Sequence, residues 1–234
     1  MASKDFTLDD GLMLTVYKRR GNRHLRLSIG PSGKIRVSIP AWAPYKLGVD
    51  FARTRQAWIR AQHTPPAVLK QGQQIGKSHH LQFVPKPGHA KVTSRVAATE
   101  VIVSYPAGDD QAAAAVQAAA HKAAVRSLRL QAEQLLPQRL ASLAAMHGFT
   151  YTSVNIKRLK GRWGSCDHQQ RIVLNLFLMQ LPWELIDYVL LHELAHTRVL
   201  RHGPDFWQEL KAVLPDVAER RRQLRDYQPA LMNG

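Results

Sequence analysis

The sequence predicts an α+β fold, and three observations carry that expectation. Alternating apolar and polar residues crowd into the first hundred positions. A stretch rich in alanine, leucine and glutamine begins at Gln111, and a proline-led amphipathic segment runs from Trp183 to His196. A strand shows its two faces with period two, whereas a helix repeats every 3.6 residues. The patterns therefore suggest a β-rich N-terminal part over 1–105 and a helical part over 112–234.

The elements follow in order. Leu25–Ile29 and Ile35–Ile39 alternate, and Gly30-Pro31-Ser32-Gly33-Lys34 between them is turn chemistry, so a hairpin is expected. Leu47 to Gln62 has helical spacing, with Phe51, Ala52, Trp58 and Ile59 on one broad face. Short strand-like runs come at Leu81–Val84 and Val101–Val103, and residues 105–110 read as a linker. The stretch from Gln111 to about Met146 favours a long helix, interrupted near Pro137, where the ring removes a backbone donor. Tyr151–Ile156 and Ile172–Leu174 read as strands. Pro182 suits a helix start and Glu184 suits the positive end of its dipole, so Trp183–His196 is a helix. A further helix begins near Pro204-Asp205 and is broken or kinked at Pro215. No internal repeat is apparent.

Composition narrows the classes. Of 234 residues, 45% are hydrophobic, which fits a globular protein and argues against wholesale disorder. The first residues show no secretory leader, and nowhere do about 18 apolar residues run together, so no membrane span is expected. A single cysteine, Cys166, excludes an internal disulfide framework and suits a reducing compartment; the protein reads as cytoplasmic. Lys and Arg exceed Asp and Glu by 33 to 17, a net charge of +16. Such a field attracts nucleic acid, acidic proteins or anionic surfaces, or it is a solvated basic surface with no partner.

The chemistry concentrates in His192-Glu193-Leu194-Ala195-His196. Residues four apart project from one helix face, so His192 and His196 can place their imidazoles on one metal ion. Glu193 lies about 100° round the helix from His192, where its carboxylate reaches a metal-bound water rather than the metal. Zinc lowers the pKa of that water to about 7, and Glu193 takes its proton as it attacks a carbonyl. A catalytic site needs a third protein ligand and an open position. His202 leads; His147, His168, Asp205 and Glu209 are the other candidates. On a continuous helix His202 would stand about 15 Å along the axis from His192. The helix must therefore end near His196–Arg198, where Thr197 and Val199 are weak helix formers and Gly203-Pro204 restarts a helix.

Taken together, Arg162-Trp163-Gly164-Ser165-Cys166, Ile172-Val173-Leu174-Asn175, the run Ile186–His196, His202 and Phe206-Trp207 resemble the YgjP-like metallopeptidase family. That family belongs to the zincins and is related to the SprT-like and WLM proteases; the basic segment Arg19–Pro40 joins the match. The resemblance implies a zincin-like fold with its catalytic part over 112–234 and zinc (Zn2+) as cofactor. It further implies His192, His196 and His202 as ligands, Glu193 as general base, and a peptide or protein as substrate. The ten-residue offset from first to third histidine also occurs in metzincins, which carry glycine where this chain has Val199.

Around the motif, Arg162 to Asn175 is the candidate edge strand for substrate backbone, a Gly-Ser turn followed by a β-rich run. Gly164 would permit close backbone approach; the plainer reading is a tight turn with Trp163 in the core. Arg162 and Tyr188 are candidate stabilisers of the tetrahedral intermediate, with Tyr188 four residues before His192 or simply a packed core tyrosine. Cys166 reads as a small buried residue. Asp205 either bonds the back of a ligand histidine or favours a helix N-terminus, Asp187 is given no role, and Phe206 and Trp207 read as core anchors. Two rivals stand beside the peptidase: a nucleic-acid-associated protease of SprT-like kind, and a basic binding protein with structural zinc, which would need four protein ligands. Oligomeric state is not legible.

Overall fold

The structure, a computed structural model, describes residues 3–9, 11–29, 35–62, 68–227 and 231. The chain divides into two compact units, 1–67 with 230–234, and 68–229.

The first unit holds β1 (Ser3–Thr7), β2 (Met13–Arg19), β3 (Arg26–Ile29) and β4 (Ile35–Pro40), then helices α1 (Tyr45–Thr54) and α2 (Gln56–Gln62). The sheet runs β1-β2-β4-β3, with β2 and β4 parallel and the outer pairs antiparallel. The predicted hairpin is present as β3 on β4, register Leu27 opposite Val37; its turn, 30–34, lies outside the described residues. Alternation buries Leu14 and Val16 of β2 with Ile35, Val37 and Ile39 of β4, and the helices cover them with Val49, Ala52 and Ile59. The helix expected over Leu47–Gln62 is two helices, because Arg55 leaves the helical basin at φ −108°, ψ 15°. Neighbours on a helix point about 100° apart, so Ile59 takes the core position and Trp58 is left 46% exposed.

The second unit begins with β5 (Gln74–Ile75), β6 (His79–Lys86), β7 (Thr93–Val96) and β8 (Glu100–Pro106), ordered β5-β6-β8-β7. Here too the central pair is parallel and the outer pairs antiparallel. The strand order and directions repeat those of the first unit, and each sheet is followed by a helix packed on it. An internal repeat of topology therefore exists where the sequence shows none. Both copies need only buried alternation, met by Leu14 and Val16 in one and by Leu81 and Phe83 in the other. Residue identity is free, so no self-similarity survives. Of the predicted linker, Tyr105 and Pro106 close β8, and Tyr105 is buried edge-on against Phe83.

Helix α3 (Ala114–His147) runs unbroken through Pro137, contrary to the predicted interruption. Leu136 and Leu140 are fully buried on either side and anchor the helix across the proline, while Glu133, whose carbonyl loses its donor, is exposed to water. The side chain of Gln131 fastens this helix to the β5–β6 hairpin, accepting from Lys77 N and donating to Ile75 O. Past its end at Gly148 (φ 67°) come β9 (Ser153–Lys157), β10 (Gly164–Cys166) and β11 (Arg171–Asn175), ordered β10-β11-β9. Gly164-Ser165 is thus strand rather than turn, and β10 is an edge. Asn175 caps a short 3-10 helix, Leu176–Gln180, before α4 (Trp183–Ala195), α5 (Pro204–Val213) and α6 (Val217–Asp226). The mixed α+β class is borne out.

Candidate metal centre

Helix α4 starts after Pro182, in extended conformation, with Glu184 in its first turn. It is buried on nearly every side: Leu185, Ile186, Val189, Leu190 and Leu194 with the apolar core, and Glu193 and His196 among the few buried polar groups. Asp187 fixes its outer side through a two-pronged ion pair with Arg139 of α3, 2.8 and 2.6 Å. That residue, given no role from sequence, is a tether between helices.

The helix stops where His202 requires it to. Thr197 turns its hydroxyl onto the Leu194 carbonyl at 2.7 Å, and the amides of Arg198 and Val199 both return to Ala195 O. The chain then doubles back and restarts at Pro204, Gly203 being extended. Arg198 holds this turn in place. It pairs with Glu209 of α5, donates to the Gly148 carbonyl at the end of α3, and lies 4.2 Å over the Phe149 ring. From the opposite side Gln170, in left-handed conformation at φ 57°, donates to Thr197 O at 3.1 Å.

The result is convergence. His202 Nε2 stands 2.9 Å from His192 Nε2 and 3.2 Å from His196 Nε2, and the ligand atoms of all three lie within 4.8 Å of one another. Nitrogens at about 2.0–2.1 Å from a tetrahedral zinc would stand roughly 3.3 Å apart. The chemistry of the donors agrees with the spacing. His196 Nδ1 bonds Val199 O at 3.1 Å, which sets its proton on that nitrogen and leaves Nε2 a lone pair. Burial, then the neighbouring imidazoles of His196 and His202 and the Arg221 charge, pushes His192 down to about 3, so it stays a neutral donor. Phe206 stacks on His196 at 4.5 Å and presents its edge to His192 and His202, covering one side of the group, of which His196 is buried, His192 half-buried and His202 exposed. These residues fit a divalent cation.

Among the described residues this histidine group has three members and no acid. His147, His168, Asp205 and Glu209 stand outside it; Asp205 sits in the first turn of α5, and Glu209 is spent on Arg198. Four protein ligands, the mark of a structural zinc, are not offered there.

Glu193 points elsewhere. It lines a cavity of about 250 Å³ together with Arg162, Trp163, Gly164, Tyr188, Val189, His192 and Leu224. Its side chain is 5% exposed and Oε2 is buried without a hydrogen-bond partner. Burial raises its carboxyl to about 8, with the Arg162 charge opposing; a cation on the histidines would pull it down again. Arg162, Gly164 and Tyr188, named from sequence, therefore meet in one cavity with His192 and Glu193. Trp163 is half-buried in its wall rather than a core residue, and Phe206 is fully buried. Cys166 is half-buried with its thiol pushed up to about 11, first by burial and then by Glu193 and Asp167. Sequence reasoning missed Leu224, brought in by α6, for which no sequence signal exists. It also passed over the role of Asn175, whose signal is a lone amide inside an apolar run.

Three imidazoles converging beside a buried carboxylate and an open cavity are the equipment of a metal-dependent hydrolase. The family model for the YgjP-like, metallopeptidase domain matches residues 23–227, and the chain belongs to that family. It is a metallopeptidase, and its substrates are peptides or proteins. Two solved structures are similar over part of the fold. The metallopeptidase zymogen abylysin of Pyrococcus abyssi is 24% identical, covering 43% of this chain and 90% of that one, TM-score 0.34. The zymogen jannalysin of Methanocaldococcus jannaschii is 18% identical, covering 43% and 93%, TM-score 0.33. The assignment rests on the family model and not on these. None of the curated proteins matches the chain.

Proposed function

We propose that the chain hydrolyses peptide bonds with zinc held by His192, His196 and His202 and with Glu193 as general base. The supporting observation is the division of labour in α4: three imidazole nitrogens face one another while the adjacent carboxylate is kept out of their group and lines the cavity. When bound, zinc supplies a Lewis acid and a water made acidic enough to attack at neutral pH. Glu193 accepts the proton of that attacking water and returns it to the departing amine. Arg162 and Tyr188, on the same cavity, offer a positive charge and a phenol to the oxyanion. The free edge of β10 suits a substrate main chain added as a further strand. In this reading the catalytic part is 112–234 and the β-rich part is 1–105. The cytoplasm is the compartment that suits its unpaired cysteine. Among the described residues no helix is long and apolar enough to cross a membrane.

Glu193→Gln tests the base. The variant is expected to keep one metal per chain and to lose peptide hydrolysis by about 10²–10⁴-fold; near-normal turnover would remove Glu193 from the role.

A second reading, association with nucleic acid, has one observation of its own. From Gly11 to Val49 there is no Asp or Glu, while Lys18, Arg19, Arg20, Arg23, Arg26, Lys34, Arg36 and Lys46 fall in that span. Phosphate backbones bind such a segment by releasing counterions. Single- and double-stranded DNA should bind with an affinity that falls steeply with salt and should stimulate cleavage. Absence of binding at about 50 mM salt rejects the reading.

A further inference from the structure

We infer that Gly164 is a positioning residue for Glu193: the missing side chain at this point of β10 is the space the glutamate arm occupies. The inference rests on the reading of Glu193 as general base and adds to it the means by which that base is aimed.

The backbone does not ask for glycine here. Gly164 pairs with Leu174 as an ordinary member of the β10–β11 ladder, and it is not among the residues with positive φ. Ser165 and Cys166, next along the same strand, carry side chains. What asks for glycine is room. A Cβ at this position would stand 2.5 Å from Glu193 Oε1 and 2.8 Å from both its Cδ and its Cγ. Three successive atoms of one arm would be struck, so a small swing of the carboxylate cannot relieve the clash. The whole side chain would have to leave its rotamer, either crowding its neighbours at a cost in stability or swinging further into the cavity it lines, and in both cases the carboxylate is re-aimed.

The contact matters because little else aims the arm. No hydrogen bond to a described residue holds the carboxylate, and Oε2 is buried without a partner. Carboxylates of this importance are ordinarily oriented by donors around them. Here the flat backbone of an edge strand does that work by packing. It also sets the carboxylate against β10, an edge strand of its sheet to which a substrate main chain can add, so base and scissile bond are placed from the same element.

The test is a cycle of wild type, Gly164→Ala, Glu193→Ala and the double variant, followed first by thermal unfolding of the metal-free proteins. Gly164→Ala should lower the midpoint by several degrees when Glu193 is present and hardly at all in Glu193→Ala, which lacks every atom the methyl would strike. If Gly164→Ala does not fold, the double variant should. In the zinc-loaded protein Gly164→Ala should keep its metal stoichiometry, hold KM within about threefold and lose kcat by about tenfold or more. Equal loss of midpoint in both backgrounds, or an unchanged kcat, overturns the inference. Because the unfolding arm involves no turnover, it stands or falls separately from Glu193→Gln, which judges the base itself.

Discussion

Asn175 shows what a single buried amide does for this cavity. It is wholly inaccessible, its Nδ2 donates to the carbonyls of Leu159 and Arg162 at 3.1 and 2.9 Å, and its Oδ1 accepts from Phe177 N at 3.3 Å. This side chain therefore ties the loop that carries Arg162 to the start of the 3-10 helix, beside the backbone bond from Asn175 N to Trp163 O at 2.8 Å. Replacing Asn175 by leucine, similar in size, leaves the Phe177 amide unpaired in the interior and takes the donor from two half-buried carbonyls. A buried group left unpaired costs about 1–3 kcal/mol and the half-buried carbonyls, which water can reach, cost less, so Asn175→Leu should destabilise by about 2–4 kcal/mol in urea unfolding. Peptide hydrolysis should fall as Arg162 loses its place; a loss under about 1 kcal/mol would show that water replaces the amide. At this scale the motif residues were legible and the supporting ones were not. His192, Glu193 and His196 are related by one turn of helix, a local rule that sequence obeys. Asn175 acts across 13 and 16 residues, and nothing local says which carbonyls it serves.

Among the elements, the turn from α4 to α5 decides whether two histidines become three. Its need was readable, because a continuous helix would carry His202 out of reach. Its means were not, because Arg198 joins the turn to the end of α3, some fifty positions earlier. Removing that clamp should leave α4 intact and loosen only the third imidazole. Arg198→Ala is expected to raise the zinc dissociation constant by about 10–100-fold, the usual effect of losing a group that orients a ligand. Competition with a chelator of known affinity measures it, and unaltered affinity would mean that Gln170 and Phe206 suffice. The same contrast separates the helices. The end of α4 follows from Thr197 and Gly203-Pro204 in the sequence, whereas the continuity of α3 through Pro137 depends on burial of Leu136 and Leu140 that only the folded chain reveals.

For the whole molecule, the site belongs to one unit. His192, His196, His202, Glu193 and Arg162 all lie in 68–229, while the first unit repeats the strand order of the second and, among the described residues, has no counterpart of its metal helices. A ligand that binds only the folded form stabilises the states in which its site is intact, by about 2.7 kcal/mol at a hundred times its dissociation constant. The sheet of the first unit contributes no residue to the site, so the metal is expected to give that sheet no protection. Hydrogen exchange with and without a chelator should therefore show faster exchange of the α4 and α5 amides on metal removal and unchanged exchange of those in β2 and β4. Thermal scans should show the same asymmetry, with only the transition of the 68–229 unit moving downward and its shift growing as free zinc is lowered. Equal loss of protection in β2 and β4 would mean that the two units unfold as one cooperative body, and that metal binding supports the basic first unit as firmly as the helices that hold it.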